Sequence, residues 1–430
     1  MSSRTSSDQE AAIAAMISGK DVFLTGGAGT GKSHTLDEFT KRRKDLGRSG
    51  KVLRTATTGA ASSLIKGMTL HSVLGLKSAA HVPHSILKNG RDEKLIKMVE
   101  DVDTIAIDEV SMLRVDQVQA IVEKMSIIKS MRGTRPQLIM IGDFAQLPPV
   151  TERAEERILN HYYGDKRFAF EHPAWAKFQL CELTMIHRQK GDLTFAKWLS
   201  DIRRGLLPDP SFINQFVSSG RHPGAINLVP SHKMANAVNE MERAMIKRED
   251  LIFEGKVMGN FPKMNMRTPP ILALPPGSTV IICANDPNQS GPREYMNGTT
   301  GKLMGKGDEG EAIVLTDDGR TVRVPPFRWE NANYMPGEKE EDEWQRKVVG
   351  VYHQTPILPG WAITIHRSQG MSLDRVHVDP RNVFAPGQLY VALSRATGTE
   401  GLTLESKVTT EMIMHDKKVR AYHSANLNEG

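Results

Sequence analysis

The chain has 430 residues, of which 39% are apolar and 25% are charged, and its 56 Lys and Arg against 50 Asp and Glu give a formal net charge of +6. This composition is typical of a soluble globular protein, and the length predicts two to four domains. The two cysteines, Cys181 and Cys283, exclude a disulfide framework and a zinc site of Cys and His ligands. Apolar runs are far shorter than the roughly 20 residues of a membrane helix. The N-terminus lacks an apolar signal segment, so we expect a cytoplasmic protein without a membrane partner.

The first half of the chain alternates short apolar runs with amphipathic segments. These predict strands over residues 22–25, 52–56, 104–107 and 137–141, and helices over 33–46 and 115–129. Strands that alternate with helices predict an α/β fold with a doubly wound parallel sheet. Residues 77–98 contain a proline, an Asn-Gly pair and mixed charges, which predicts a small insertion.

The second half returns to the α/β pattern after an interruption. Helices are predicted over 195–203 and 233–247, and strands over 362–365 and 375–378. Residues 272–356 instead hold short β-type runs separated by glycine-containing turns, which is typical of a small β-barrel. We therefore predict four parts: a first domain of residues 1–76 and 99–182, an insertion at 77–98, a second domain of residues 183–271 and 357–430, and a β insertion at 272–356.

Residues 26–33 carry the strongest chemical signal. They read Gly-Gly-Ala-Gly-Thr-Gly-Lys-Ser, which fits G-x-x-x-x-G-K-S/T between a predicted strand and a predicted helix. Glycines allow backbone N–H groups to curl round phosphate oxygens, and the helix N-terminus adds partial positive charge. Lys32 would reach the β- and γ-phosphates of a nucleoside triphosphate, and the hydroxyl of Ser33 would bind Mg²⁺.

Further candidate catalytic groups follow the next apolar strands. One strand ends in two carboxylates, of which Asp108 is expected to hold Mg²⁺ and Glu109 to orient or deprotonate the attacking water. Gln146 follows another strand and is placed to sense the γ-phosphate. Arg188 and Arg395 are candidate arginine fingers, which would neutralise charge on the leaving phosphoryl group.

Six segments, in order, resemble the motifs of one family. They are residues 26–33, 107–113 (Ile-Asp-Glu-Val-Ser-Met-Leu), 142–150 (Gly-Asp-Phe-Ala-Gln-Leu-Pro-Pro-Val), 183–189 (Leu-Thr-Met-Ile-His-Arg-Gln), 361–370 (Trp-Ala-Ile-Thr-Ile-His-Arg-Ser-Gln-Gly) and 388–395 (Gln-Leu-Tyr-Val-Ala-Leu-Ser-Arg). Over about residues 9 to 404, the chain resembles superfamily-1B DNA helicases of the PIF (petite integration frequency) type, which are related to the phage Dda helicase and to RecD-type helicases.

The resemblance implies a fold of two RecA-like P-loop domains, with ATP between them and single-stranded DNA across their tops. Each domain would carry a small insertion: a short wedge subdomain at 77–98 and a Src-homology-3-like β-barrel at 272–356. ATP hydrolysis with Mg²⁺ would drive 5′-to-3′ movement on single-stranded DNA. The protein would thereby unwind duplex DNA in replication, repair or recombination.

The resemblance also assigns nucleotide contacts to particular residues. Gln9 would read adenine, and Gln369 and Gly370 would lie where the γ-phosphate and a DNA-contacting segment meet. Arg188 and Arg395 would come from the second domain, so that closure of the cleft would couple hydrolysis to movement. The phosphate-binding residues would be Gly26, Gly27, Ala28, Gly29, Thr30, Gly31, Lys32 and Ser33.

DNA contacts are implied in the same way for short polar segments that suit phosphates rather than base readout. Phe144 would either contact bases or pack on the domain surface, and His71 and His366 would be either DNA contacts or purely structural histidines. Family members usually have Pro at the position of Thr57 and Lys at that of Arg367. The candidate contacts are Thr57, Thr58, Gly59, His71, Ser72, Phe144, Thr364, His366 and Ser368.

Single-stranded and forked DNA are the expected partners of a monomeric motor, alongside other replication or repair proteins. The chain lacks the long N-terminal regions of eukaryotic members, so we expect a minimal version from the nucleoid of a bacterial or phage-infected cell. Residues 1–100 hold 16 basic and 9 acidic residues, and this net of +7 suits phosphate binding. Two alternatives stay open: an ATP-driven nucleic-acid remodeller without processive unwinding, and an RNA helicase of the same superfamily.

Overall fold

The structure, a computed structural model, describes residues 5–48, 50–57, 68–76, 80–85, 95–96, 99–189, 191–218, 220, 222–263, 266–287, 294–335 and 345–427. These residues form two compact units. The first contains the described residues up to Pro208, those of Tyr334–Gln345 and those from His415 onward, and the second contains those of Asp209–Asn333 and Arg346–Met414. The boundaries of the four predicted parts stay predictions.

The secondary structure follows in chain order. The described helices are α1 (Ser7–Ile17), α2 (Lys32–Asp45), α3 (Leu70–Leu74), α4 (Val115–Arg132), α5 (Arg153–Tyr163), α6 (Leu193–Arg203), α7 (Ser211–Asn214), α8 (His232–Ala244), α9 (Gln388–Leu393) and α10 (Lys417–Asn426). The described strands are β1 (Val22–Gly26), β2 (Lys51–Ala56), β3 (Met68–Thr69), β4 (Val102–Asp108), β5 (Gln137–Gly142), β6 (Gln179–Leu183), β7 (Ile226–Val229), β8 (Leu251–Glu254), β9 (Lys256–Gly259), β10 (Ile271–Leu274), β11 (Thr279–Ile282), β12 (Thr300–Lys306), β13 (Ala312–Thr316), β14 (Thr321–Val324), β15 (Phe327–Met335), β16 (Gln345–Gln354), β17 (Ile357–Pro359), β18 (Ala362–Thr364), β19 (Val376–Val378) and β20 (Leu402–Leu404). Short 3-10 helices lie at Val110–Met112, Ala169–Glu171, Pro173–Lys177, Pro380–Asn382, Thr399–Gly401 and Thr410–Met412.

The first unit is built on a parallel sheet whose described strands lie in the order β3-β2-β4-β5-β1-β6. Successive side chains of a strand point to opposite faces of the sheet, so the buried strands contribute side chains to two hydrophobic cores, one on each face. One core contains Phe23 and Ile105 and packs with α4. The other contains Leu24 and Ile139 and packs with α1 and α2. Both faces are therefore covered, which confirms the doubly wound α/β fold.

The second unit contains a smaller parallel sheet of described strands in the order β18-β7-β19-β20. Between β7 and β18 the chain is rich in antiparallel structure, with strands in the orders β14-β13-β12-β11-β17, β15-β16-β9 and β10-β8. This agrees with the β-type pattern of residues 272–356, although β8 and β9 already precede that segment. The apolar interior of the first of these sheets includes Val280, Leu303 and Val314.

Two features lie beyond the sequence prediction. Helix α1 precedes the first predicted strand, and β6 adds a strand beside β1 where Gln-Leu-Cys-Glu-Leu shows no clear periodicity. Residues 77–98 lie largely outside the described residues, although Leu95 is buried in the first core.

Among the residues that the structure describes, no helix combines the length and apolar character needed to cross a bilayer.

Candidate nucleotide-hydrolysis site

The phosphate loop, residues 26–33, connects β1 to α2 at the carboxyl edge of the first sheet. Gly29 and Gly31 have φ angles of 81° and 85°, in the left-handed region that glycine adopts without strain. Lys32 begins α2, and its ammonium donates hydrogen bonds to the carbonyls of Gly26 (2.7 Å) and Gly27 (3.0 Å). The loop thus gathers the N-terminus of α2 and one ammonium group, which is the arrangement that binds phosphates.

Arg188 packs directly on this loop. The N–H of His187 donates to the carbonyl of Gly29 at 2.8 Å. A Cβ atom built on Gly29 would clash with the Cβ of Arg188. The resemblance places Arg188 in the second domain, whereas its contacts group it with the first unit, in the segment between β6 and α6.

We expect Gly29→Ala to weaken ATP binding by about tenfold or more, because the added Cβ would clash with Arg188 and displace the loop from the conformation that binds phosphates, and restoring a strained left-handed alanine there costs on the order of 1–3 kcal/mol. Titration with a fluorescent ATP analogue measures the effect. Gly47→Ala is the matched control, since Gly47 has a φ of 70° but its Cβ would meet nothing within 4 Å. Unchanged affinity in Gly29→Ala would contradict the role of this close approach.

Gln9 lies on α1 against the phosphate loop. Its side chain is 2% exposed. The amide nitrogen donates to the carbonyl of Thr30 (3.4 Å), and the amide oxygen accepts from the N–H of Ser6 (3.0 Å). A Cβ on Gly31 would lie 2.7 Å from the Gln9 amide nitrogen. The structure therefore brings Gln9 to the loop, while its reading of adenine stays a prediction.

Asp108 and Glu109 stand at the end of β4, on the same edge of the sheet as the loop. Glu109 has a φ of 55°, a left-handed conformation that costs a non-glycine residue on the order of 1 kcal/mol or more. Its N–H donates to Oδ1 of Asp108 (2.8 Å), and its carbonyl accepts from the hydroxyl of Thr57 (2.9 Å). Strain of this kind clusters at active sites, where the surrounding structure holds it in place.

Burial dominates the electrostatics of the site. It lowers the pKa of Lys32, while the negative charges of Asp143, Glu109 and Asp108 oppose that shift. Burial likewise raises the pKa of Asp108, against the hydrogen bond from the Glu109 N–H and the charge of Lys32. Charges held away from water in one cluster are typical of functional sites.

Gln146 lies in the turn that follows β5. Its N–H donates to the carbonyl of Asp143 at 3.0 Å. The side chain is 7% exposed, and its Oε1 has no hydrogen-bond partner among the described residues. A buried amide oxygen without a protein partner suits a bound water or ligand.

Sequence reasoning missed a buried ion-pair network at this edge of the sheet. Arg203, at the end of α6, donates to Asp143 (3.1 Å), Glu182 (2.7 Å) and the hydroxyl of Thr25 (3.3 Å). Arg203 is 4% exposed and Asp143 is fully buried. The network joins α6 to the ends of β1, β5 and β6. Asp143 belongs to a recognised motif, but no sequence signal identifies a partner 60 residues away.

The donor set suits Mg²⁺ together with a nucleotide. Among the described residues, no three His, Cys, Asp or Glu side chains are grouped as a metal site. Mg²⁺ needs only one or two protein oxygens when phosphate oxygens and waters complete its octahedron. Ser33 is exposed in the first turn of α2, and Asp108 ends β4 at the same edge. These residues therefore fit an ion that arrives with phosphates.

Arg395 follows α9 in the second unit and is 2% exposed. Its guanidinium donates to the hydroxyl of Ser394 (2.8 Å) and the carbonyl of Ser368 (3.3 Å), so it holds two segments of its own unit together. In the adjoining turn, Nε2 of Gln369 has no hydrogen-bond partner among the described residues, and Gly370 has a φ of 76°. Nucleotide contacts of these three residues stay predictions.

Only some of the predicted DNA contacts of the first unit lie among the described residues. The hydroxyl of Thr57 donates to Glu109, so its proton is used within the fold. Thr58 and Gly59, and the side chain of Ser72, lie outside the described residues. Burial, and then the charge of Arg114, lower the pKa of His71.

Gln117 determines which nitrogen of His71 accepts a hydrogen bond. The Gln117 side-chain oxygen accepts from the N–H of Arg114 (2.9 Å), which turns its amide nitrogen toward Nε2 of His71 at 3.3 Å. Nε2 of His71 is then the acceptor, and Nδ1 carries the proton of the neutral ring. A DNA contact at His71 stays a prediction. In such a contact the His71 ring would act as a neutral hydrogen-bonding group.

Two of the predicted DNA contacts, Thr364 and Ser368, are buried at the end of β18 and in the turn after it, and their contact with DNA stays a prediction. Thr364 is 4% exposed and its hydroxyl accepts from the N–H of Arg367 (3.2 Å). Ser368 is fully buried and its hydroxyl donates to the carbonyl of Ile365 (2.8 Å). Both hydroxyls stabilise the turn itself. His366 is half-buried, and burial lowers its pKa, so it remains a candidate contact of this segment.

Phe144 lies in the interior of the first unit, and its contact with bases stays a prediction. Its side chain is 2% exposed. The ring packs among Phe23, Phe170 and Trp175, with centroids 4.8–5.4 Å away. The ring is therefore packed in the core and not on the domain surface, because a large apolar ring gains more from burial than from an exposed position.

Comparison with known proteins decides the family. A sequence model of the family described as PIF1-like helicase matches residues 5–211. A protein of Bdellovibrio bacteriovorus named ATP-dependent DNA helicase Pif1 is 30% identical, over 97% of this chain and 91% of its own length. The chain belongs to the PIF1-like helicase family. A Psychrobacter protein of the same name is also 30% identical, over 92% of this chain and 67% of its own length.

Solved structures of PIF1-like helicases extend the likeness to three dimensions. Bacteroides Pif1 in complex with ADP-AlF4 has a TM-score of 0.84 at 27% identity, covering 99% of this chain and 97% of that one. Bacteroides Pif1 bound to ssDNA has a TM-score of 0.69 at 28% identity, covering 98% and 96%. With the two parallel sheets described above, this likeness confirms the expected α/β fold with two RecA-like domains. The identity of the insertions as wedge and Src-homology-3-like subdomains stays a prediction.

Proposed function

We propose that this chain is an ATP-dependent DNA helicase, which couples ATP hydrolysis to movement on single-stranded DNA and to unwinding of duplex DNA. One observation carries the proposal. The carboxyl ends of β1, β4 and β5 bring the phosphate loop, the Asp108–Glu109 pair and Gln146 to one edge of a parallel sheet. The proposal is further supported by relatives that are named ATP-dependent DNA helicases and by a family structure bound to ssDNA.

In this proposal, the loop amides and Lys32 bind the phosphates of ATP. The hydrogen bonds that Lys32 makes to Gly26 and Gly27 place its ammonium over the loop, within reach of an incoming anion. Ser33 and Asp108 would hold Mg²⁺, which when bound supplies positive charge against the phosphates. Partial burial of Lys32 strengthens the attraction of its ammonium for phosphate, because water screens the charge less than at an exposed surface.

Glu109 is proposed to orient and deprotonate the attacking water, and Gln146 to hydrogen-bond that water or the γ-phosphate. The left-handed backbone of Glu109 supports this role, since it fixes the direction in which the side chain leaves the strand end. The unpartnered oxygen of Gln146 supports its role as an acceptor for a water proton. Arg188, packed on Gly29, is proposed to neutralise phosphate charge.

The finer properties of the motor are also proposals. We infer 5′-to-3′ polarity, a monomeric motor, single-stranded and forked DNA as substrates, and action in replication, repair or recombination alongside other proteins of those processes. A cytoplasmic, nucleoid-associated location follows from the same reasoning. The family resemblance supports all of these properties. The polarity rests on the resemblance alone, because the residue chemistry of the site does not dictate the direction of movement along a DNA strand.

Unwinding of tailed duplexes tests this proposal. We expect ATP hydrolysis to rise on addition of oligo-dT, and a duplex with a 5′ single-stranded tail to be unwound while a duplex with a 3′ tail is not. The assay follows release of a labelled strand, with an RNA-tailed substrate in parallel. DNA-stimulated hydrolysis without strand release would favour the remodeller, and preference for the RNA tail would favour the RNA helicase. Unwinding from the 3′ tail alone would overturn the polarity.

A further inference from the structure

Thr57 joins β2 to β4 at the end of β4 where the candidate catalytic carboxylates, Asp108 and Glu109, lie. It follows the last residue of β2, Ala56, which pairs with Asp108 in the parallel ladder of β2 and β4. The N–H of Thr57 donates to the carbonyl of Asp108 (3.3 Å), and its hydroxyl donates to the carbonyl of Glu109 (2.9 Å). One residue of β2's end is therefore hydrogen-bonded to both members of the carboxylate pair.

The bond to Glu109 holds a residue that would otherwise relax. Among the described non-glycine residues, only His84 and Glu109 have φ in the left-handed region. Within its own segment, the Glu109 N–H donates to Asp108 (2.8 Å) and its carbonyl accepts from the N–H of Met112 (3.2 Å). The hydroxyl of Thr57 adds a bond to that carbonyl from another strand. Strained conformations persist where several contacts fix them at once.

We propose that Thr57 is a positioning residue for ATP hydrolysis: its hydroxyl fixes the peptide of Glu109 and so aims the Glu109 carboxylate at the attacking water. This inference rests on the proposed function of Glu109. Thr57 is also the first residue of a predicted DNA-contact segment. Displacement of Thr57 by DNA would therefore change its hydrogen bond to Glu109 directly. The stimulation of hydrolysis by DNA is therefore expected to depend on this hydroxyl.

Substitutions at Thr57 separate the hydroxyl from its surroundings. Thr57→Val keeps the shape and the N–H but removes the hydroxyl, and we expect kcat with oligo-dT to fall about five- to tenfold, the loss of one hydrogen bond. KM for ATP should change less than twofold, because the phosphate loop is untouched. Thr57→Ser keeps the hydroxyl and should retain kcat within about twofold of the wild type.

Thr55 provides a matched control on the same strand. Its buried hydroxyl donates to the carbonyl of Ala106 (3.0 Å), so it joins β2 to β4 in the same way but away from Glu109. Thr55→Val should therefore lower thermal stability while leaving kcat and its stimulation by oligo-dT unchanged. An equal loss of kcat in Thr55→Val and Thr57→Val would overturn the proposal, since the effect would then be structural.

Glu109→Gln, assayed in parallel, distinguishes failure of this inference from failure of the proposed function. If Glu109→Gln hydrolyses ATP like the wild type, the assignment of Glu109 itself is wrong. If Glu109→Gln is inactive while Thr57→Val matches the wild type with and without oligo-dT, the positioning role of Thr57 is wrong. A fall in Thr57→Ser as large as that in Thr57→Val would also overturn it.

Discussion

Replacing Lys32 with alanine is expected to lower ATP hydrolysis by about 10²–10³-fold or more, because a preorganised cation that meets developing phosphate charge is lost. The ammonium lies over the carbonyls of Gly26 and Gly27, inside the loop that would cradle the phosphates. Phosphate release with and without oligo-dT measures the loss. Single-stranded DNA affinity, measured by anisotropy of a labelled oligo-dT, should persist, since the candidate DNA contacts lie on other segments.

Lys20→Ala is the control for charge removal from the same part of the chain. Lys20 is exposed just after α1, and its side chain is not part of the site. This variant should hydrolyse ATP at the wild-type rate. Wild-type turnover in Lys32→Ala would show that the loop does not bind the reacting nucleotide. A parallel loss of DNA binding would show that the variant is misfolded instead, and a thermal melt separates that outcome from the expected one.

The nucleotide site could be predicted from sequence because its signals are local. The phosphate loop needs glycines, Lys32 and Ser33 in consecutive positions between a strand and a helix, and the structure has them there. Parallel strands bring their carboxyl ends to one edge, so the strand-end position of Asp108 implied its proximity to the loop. Glu109 differs: no sequence pattern indicates its left-handed backbone, whose N–H donates to Asp108 and whose carbonyl accepts from the hydroxyl of Thr57.

The predicted DNA contacts are harder to derive from sequence, because short hydroxyl side chains hydrogen-bond to turns as readily as to ligands. Ser368 and Thr364 bond to the backbone of their own turn, and a motif match alone could not distinguish this from phosphate binding. Phe144 illustrates the same limit for an aromatic side chain, whose neighbours Phe23 and Trp175 are distant in sequence. Long-range contacts of this kind decide burial, and a single sequence does not contain them.

The ion-pair network of Arg203 stabilises the structure around the phosphate loop. Arg203 shares its guanidinium between Asp143 and Glu182, and all three side chains are nearly or fully buried. Removing one member of a buried ion-pair network leaves an uncompensated charge, which is strongly destabilising. Asp143 also supports Lys32 electrostatically. The network therefore couples the packing of α6 to the charge balance at the phosphate loop.

Glu109→Gln is expected to lower ATP hydrolysis by about 10²–10⁴-fold, the contribution typical of a positioned general base. Glutamine is nearly isosteric with glutamate, so it can keep the contacts of the backbone with Asp108, Thr57 and Met112. It cannot accept a proton from water. Rapid-quench measurement of the hydrolysis step, together with binding of a fluorescent ATP analogue, should show lost chemistry with nucleotide affinity retained.

Glu100→Gln removes the same charge from an exposed side chain of the first unit and should leave hydrolysis unchanged. Duplex unwinding by Glu109→Gln should fall in proportion to hydrolysis, because each step along DNA is expected to require ATP turnover. If Glu109→Gln loses nucleotide affinity as well, the carboxylate acts mainly in binding, and the strained conformation of Glu109 would serve the nucleotide complex. If hydrolysis persists at the wild-type rate, another group activates the water, and Gln146, with its unpartnered buried oxygen, becomes the next residue to substitute.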